Sequence, residues 1–211
     1  MRTALVLQVL LLLSALATVH AGEGYPDFSW DHVPLYAHVG VNNGLTTDQY
    51  KFLATNFDLV MFTAGYSKNG VPVEPKVADA AIAVKFYNPL TKVLFYWCAS
   101  VKKGKWVDSL STYPGAYLID PDTGTEYYDI LRPEVRTWWA GIAAKAVINY
   151  NCGGIFPDGA AAACREGAGF HRAYGESNSI TNLRNAMIDM LQEANTKILN
   201  LTDFFKEFQR T

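Results

Sequence analysis

Asp158 is the carboxylate in this chain whose setting is most readable as chemistry. It stands in the run Gly153 to Gly159 (GGIFPDG), where two glycines and a short apolar stretch precede an aspartate and a third glycine. Such a run reads as a buried strand ending in an exposed turn. A helix-like segment, Arg132 to Tyr150, comes before it, the pattern of a crossover between parallel strands. In parallel α/β architectures functional groups gather at the carboxyl ends of strands, and Asp158 occupies that end. An Asp before Gly also closes an Asx-turn or caps the next segment. The residues alone leave both readings open.

Carboxylates do acid–base work in pairs, one giving a proton while the other attacks or activates water. The candidates for a second member are Asp120, Asp122, Glu126 and Asp129, with Glu166 further on. Asp122-Thr123-Gly124 also reads as a hairpin turn, and Asp129 as an aid to the start of the following helix. Glu166 lies in a loop beside Gly167 and Gly169. His38, at the end of the first strand, is suited to hydrogen-bond a substrate hydroxyl or to orient Asp158; a satisfied, half-buried histidine is the rival reading. Tyr66 and Trp97, at the ends of the second and third strands, either stack on a ring-shaped ligand or fill the core. Trp138 and Trp139 read as packing residues, and Lys102, Lys103 and Lys105 as a solvated loop. His171 and Arg172 carry no readable role.

The elements that must position these groups alternate along the chain. Pro34 to Gly40 is a first strand, and Thr46-Thr47-Asp48 opens a helix with Tyr50, Leu53, Ala54 and Phe57 on one side. Phe57 to Gly65 is a second strand, followed by a polar loop and a helix from Lys76 to Phe86 that Asn88-Pro89 stops. Thr91 to Cys98 is a third strand. These runs are continuously apolar, as expected of strands covered on both faces. Ala99 to Leu131 is a long connection, the kind that carries function. Pro133 then takes the first position of a helix with Glu134 in its first turn. After the Asp158 strand, Asn178 to Ala194 reads as a helix with Ile180, Leu183, Met187, Met190 and Leu191 on one face. Thr196 to Leu199 is a short fifth strand candidate, and Thr202-Asp203 caps a last helix. The order βαβαβαβαβ predicts either part of a (β/α) barrel or a doubly wound sheet. No Gly-rich phosphate fingerprint follows a strand, which disfavours the nucleotide-binding version.

Composition bounds the setting. Arg2, the apolar stretch Leu5 to Leu16 and Val19-His20-Ala21 have the form of a secretory signal peptide, residues 1–21. Removing it leaves about 190 residues, enough for one domain, 22–211. The apolar stretch is too short for a membrane span. A net charge of -2 without a basic run gives no reason to expect nucleic acid. Half of the residues are apolar, which argues against disorder. Of the three cysteines, Cys98 and Cys164 form the preferred pair, because Cys152 and Cys164 flank a strand whose loop would have to fold back along it. Their spacing resembles no zinc site, and no cofactor is expected. Asn200-Leu201-Thr202 is a glycosylation sequon.

Three runs together carry a resemblance: Tyr117 to Asp120 with Asp122 and Gly124, Asp129 to Arg136 with Trp138-Trp139, and Gly154 to Gly159. They are similar to a pattern in glycoside-hydrolase-like TIM barrels, among them hypothetical glycosyl hydrolase families whose barrels resemble melibiase-type and polygalactosaminidase-like enzymes. The resemblance covers Val33 to Gly159 and implies a partial (β/α)8 TIM-barrel-like domain of about four to five βα units. It implies a secreted glycosidase with Asp158 as nucleophile or key acid, a glycan substrate, and His38, Tyr66, Trp97 and Asp120 as substrate contacts. A full barrel takes about 250 residues, so a truncated, non-catalytic carbohydrate binder that self-associates through open sheet edges is the alternative.

Overall fold

The computed structural model describes residues 33–40, 44–63, 72–101, 117–175 and 177–208, with side chains to 200. Its centre is a parallel sheet of four strands: β1 (Tyr36–Val39), β2 (Leu59–Phe62), β3 (Lys92–Tyr96) and β6 (Gly154–Phe156), in that spatial order. Two further strands, β4 (Leu118–Ile119) and β5 (Glu126–Tyr127), form a separate antiparallel hairpin. The expected turn at Asp122-Thr123-Gly124 lies between them, with Gly124 at φ 68. Residues 102–116, which include the lysine loop, lie outside the described set, as do Tyr66 and residues 1–21, where a signal peptide is expected.

Local signals set the helices between the strands. α1 (Thr47–Asn56) starts with a capping box: Gln49 N–H donates to Thr46 Oγ1, and Thr46 N–H donates to Gln49 Oε1. α2 (Val73–Tyr87) begins three residues before the expected Lys76, and α3 (Pro133–Asn149) has its proline at the first turn as expected. After β6 come a 3-10 helix (Ala160–Cys164) and a short α4 (Gly169–Tyr174). The chain then enters α5 (Ile180–Phe208). No helix among the described residues is long and apolar enough to cross a membrane.

The fifth strand expected at Thr196 to Leu199 does not form; those residues continue α5, and Thr202-Asp203 caps no separate helix. The cause is visible along the element. No glycine or proline interrupts 180–208, and the buried stripe Leu183, Ala186, Met187, Met190 and Ala194 carries the helical period up to the disputed residues. Glu193 and Lys197 add a pair one turn apart, 3.5 Å. The apolar face packs along α3.

The strand order rises monotonically from one edge of the sheet to the other, whereas a doubly wound sheet reverses its order midway. Register assigns the two faces. Ala37, Val39, Val60, Phe62, Val93 and Phe95 share one face and are buried in the core with helix residues such as Leu53, Val77, Val84 and Trp139. Tyr36, His38, Leu94, Tyr96 and Phe156 share the other. On that second face the rings of Tyr36 and Phe156 stack with centroids 6.3 Å apart. They belong to the two edge strands, which three strand spacings would hold about 14 Å apart in a flat sheet. The sheet therefore curls toward this face.

Candidate active site

The carboxyl end of β6 is built by three local constraints. Pro157 has no N–H to continue the ladder, so the strand ends there. Asp158 N–H turns back to Phe156 O (3.0 Å), and Asp158 O accepts from Ala99 N–H (2.7 Å), which ties the turn to the exit of β3. Gly159 follows at φ 74, in the left-handed region, and starts the 3-10 helix. A Cβ there would stand 2.5 Å from Ser100 Oγ, so a side chain fits only if Ser100 or the turn gives way.

Asp158 is half-buried at this turn, and the Tyr96 hydroxyl donates to its Oδ2 at 2.5 Å. Tyr96 is the last residue of β3 and is buried. Burial, then the hydrogen bond to Asp158 and the nearby Cys98 sulfur, push its phenol well above the usual tyrosine range. The hydroxyl therefore keeps its proton and stays a donor. Its ring stacks on Phe156, centroids 6.5 Å apart.

His38 is exposed on the same face and meets Tyr36 edge-on, 6.4 Å between centroids. Tyr36 touches Phe156, so two residues further along each strand His38 and Asp158 face the same end of the sheet.

Trp97 is not at that end as a stacking platform. It is fully buried on the helix side, its indole N–H donating to Trp139 O at 3.3 Å and its ring stacked on Trp139. Trp139 in turn donates to Cys98 O at 2.9 Å, so both tryptophans are core.

Asp120 is likewise corrected from substrate contact to clamp. Its side chain is 1% exposed and receives both Arg172 Nε (3.0 Å) and Nη2 (2.7 Å), with Thr123 Oγ1 adding a third bond at 2.7 Å. Arg172 also pairs with Asp122 (2.9 Å) and donates to Gly167 O (2.7 Å). Two of the candidate second carboxylates are thus committed to one guanidinium, which fastens the β4–β5 hairpin to α4. Gly169 permits the approach, since a Cβ there would lie 2.8 Å from Asp120 Oδ2 and 2.6 Å from the Tyr127 hydroxyl. Glu166 is exposed in the turn before α4.

The expected Cys98–Cys164 disulfide is not formed; all three cysteines are free. Cys98 is buried beside Gly159 and accepts from Val101 N–H at 3.4 Å, while Cys164 is exposed at the end of the 3-10 helix. Burial pushes the Cys152 thiol up to about 12, which keeps it protonated. Asn200 is exposed on α5.

Four residues with no assigned role in the sequence prove to organise this region. Tyr96 holds Asp158, and Arg172 clamps the hairpin. His171 accepts from Gly167 N–H through Nδ1 (3.2 Å), which leaves Nε2 to donate to Asn178 O (3.0 Å). The Tyr174 hydroxyl donates to Tyr128 O (2.9 Å) and accepts from Ile130 N–H (2.6 Å). The one available signal was a run of polar and aromatic residues in a short segment, His171 to Tyr174.

The clamp has a pH signature. Arg172 holds the Asp120 carboxyl down to about 2, below its ordinary value. A depressed carboxyl contributes stability above its unfolded value and loses it as pH falls through the folded one. Urea midpoints are therefore expected to drop between about pH 4 and pH 2 in the native protein. In Arg172→Gln that window should shrink and stability at neutral pH should fall; an unchanged acid profile would show that the ion pair is not coupled to folding.

No family model matches this chain, and a search of curated proteins finds no matching sequence.

Proposed function

We propose that this is a secreted glycoside-hydrolase-class protein built on a partial (β/α) barrel, with Asp158 as its central carboxylate. The observation that carries the reading is the Asp158 carboxylate at the end of the last parallel strand, oriented by Tyr96. The monotonic strand order and the curl that brings Tyr36 to Phe156 support the barrel geometry. Secretion rests on the signal-peptide pattern of residues 1–21. Glycoside cleavage needs a second carboxyl group. Glu74 is our candidate: it is buried in the first turn of α2, the helix that β2 leads into, and so lies toward the same end of the sheet.

The test is release of reducing ends from a panel of soluble oligosaccharides by the secreted protein and by Asp158→Asn. The native protein should cleave at least one member, and the variant should lose about 10²–10⁴-fold in rate while keeping its far-UV spectrum. Equal rates in the two proteins would remove Asp158 from the mechanism.

A second reading, a non-catalytic carbohydrate binder that self-associates, draws on the commitment of Asp120 and Asp122 to Arg172 and on the edges of β1 and β6, which no strand among the described residues covers. Light scattering at micromolar concentration separates the two, since a monomer that cleaves glycans excludes the second.

A further inference from the structure

Accepting the glycoside-hydrolase reading, we propose that Tyr96 is a positioning residue that fixes Asp158 as the anionic member of the carboxyl pair. Asp158 then takes the part of nucleophile or base, and a different group surrenders the proton.

The geometry favours the anion. An ionised carboxylate only accepts hydrogen bonds, and a phenol aimed at Oδ2 at 2.5 Å supplies the matching donor. A proton on Oδ2 would force the phenol to accept it and to redirect its own hydrogen toward the Cys98 sulfur, a weak acceptor, and a proton on Oδ1 would make Oδ2 a poorer acceptor of the phenol's hydrogen bond. The Tyr96 ring cannot easily swing away, because it is buried in β3 and stacked on Phe156. The Asp158 backbone is pinned too, by the Ala99 N–H bond. Among the described residues, Tyr36 and His38 from β1 and Cys98 at the exit of β3 are further titratable groups on this face.

The assignment constrains the chemistry. In a displacement, an Asp158 oxygen forms a bond to the anomeric carbon as the glycosidic C–O bond breaks, and the leaving oxygen takes its proton from the acid partner. In direct hydrolysis, Asp158 removes a proton from water as the water oxygen bonds to the anomeric carbon, the glycosidic C–O bond breaks and the leaving oxygen takes its proton from the acid partner. In neither does Asp158 protonate the leaving group. A carboxyl group in the acid's seat is normally kept protonated by apolar surroundings or a neighbouring anion, and a donor hydroxyl has the opposite effect.

Tyr96→Phe, which keeps the ring and removes the donor, tests this in the full chain. The ¹³Cγ resonance of Asp158, assigned by its loss in Asp158→Asn, should titrate at a higher pH in Tyr96→Phe than in the native protein. On any panel substrate that is cleaved, kcat should fall about tenfold with KM little changed, and the acid limb of the pH profile should move up with the resonance. If Tyr96→Phe fails to fold, 3-fluorotyrosine at position 96, a stronger donor, should move the resonance the other way. An unmoved titration overturns the proposal whatever Asp158→Asn does to activity. A moved titration in a protein that cleaves no glycan supports the hold of Tyr96 on Asp158 and rejects the hydrolase reading instead.

Discussion

Trp139→Ala is expected to lower stability by about 3–5 kcal/mol, a large fraction of the total for a single domain. Trp139 is fully buried and makes two kinds of contact that alanine cannot replace. Its ring stacks on Trp97 with centroids 6.2 Å apart, and truncation opens a cavity between α3 and the sheet that the surrounding side chains fill only in part. Its indole N–H satisfies the Cys98 carbonyl at 2.9 Å, one residue before Ala99, whose N–H holds the Asp158 turn. Left without a donor in a dry interior, that carbonyl adds a desolvation penalty to the cavity term. Trp138 provides the internal comparison. It is only half-buried, so Trp138→Ala should cost clearly less. Urea unfolding followed by far-UV circular dichroism checks both, with the m-value guarding against a change of mechanism. Equal costs would mean that the buried ring of Trp139 is not where the core draws its stability.

Gly159→Ala should lose about 1–2 kcal/mol from backbone conformation alone, because the residue sits at φ 74 where a Cβ meets the following carbonyl. A further loss comes from the clash, since the new methyl would arrive 2.5 Å from Ser100 Oγ and 3.5 Å from Cys98 Sγ. Either Ser100 turns away or the turn opens, and Asp158 is the adjoining residue. The two contributions separate in a double variant. Ser100→Ala removes the hydroxyl that the methyl strikes, so Gly159→Ala should be less damaging in that background. The thermal midpoint reads the difference. If the second substitution restores nothing, strain in the backbone accounts for the whole loss.

Much of the scaffold could be read from local signals, because those signals act within a turn or two of the residues that carry them. Thr46 and Gln49 specify a helix start that needs no tertiary help. Pro133 does the same for α3, and the glycines around Asp158 mark a strand that ends in a turn. The fifth strand expected at Thr196 to Leu199 failed because a short β-branched and aliphatic run has no fixed preference. The stripe that Leu183 begins decided the matter by packing.

The site was harder to read for a related reason. β3 is apolar at nearly every position, so no alternation in the sequence tells which of its residues faces which side. Tyr96 and Trp97 are neighbours in the chain, yet period-two geometry sends one to Asp158 and the other under α3. Trp97 was the natural choice of platform by residue type, and parity placed it inside. The Asp120–Arg172 clamp joins residues that no local pattern connects, so only the folded chain discloses why Asp120 is unavailable to a ligand.

The stacking of Tyr36 on Phe156 bears on how the chain is made as well as on its shape. It joins the first strand to the last, the most sequence-distant pairing within the sheet. Closing so long a loop is entropically slow, and it has no local contact to reward it early. During synthesis β1 through β3 can assemble as they emerge, while the aromatic ring of Tyr36 waits in water for a partner not yet translated.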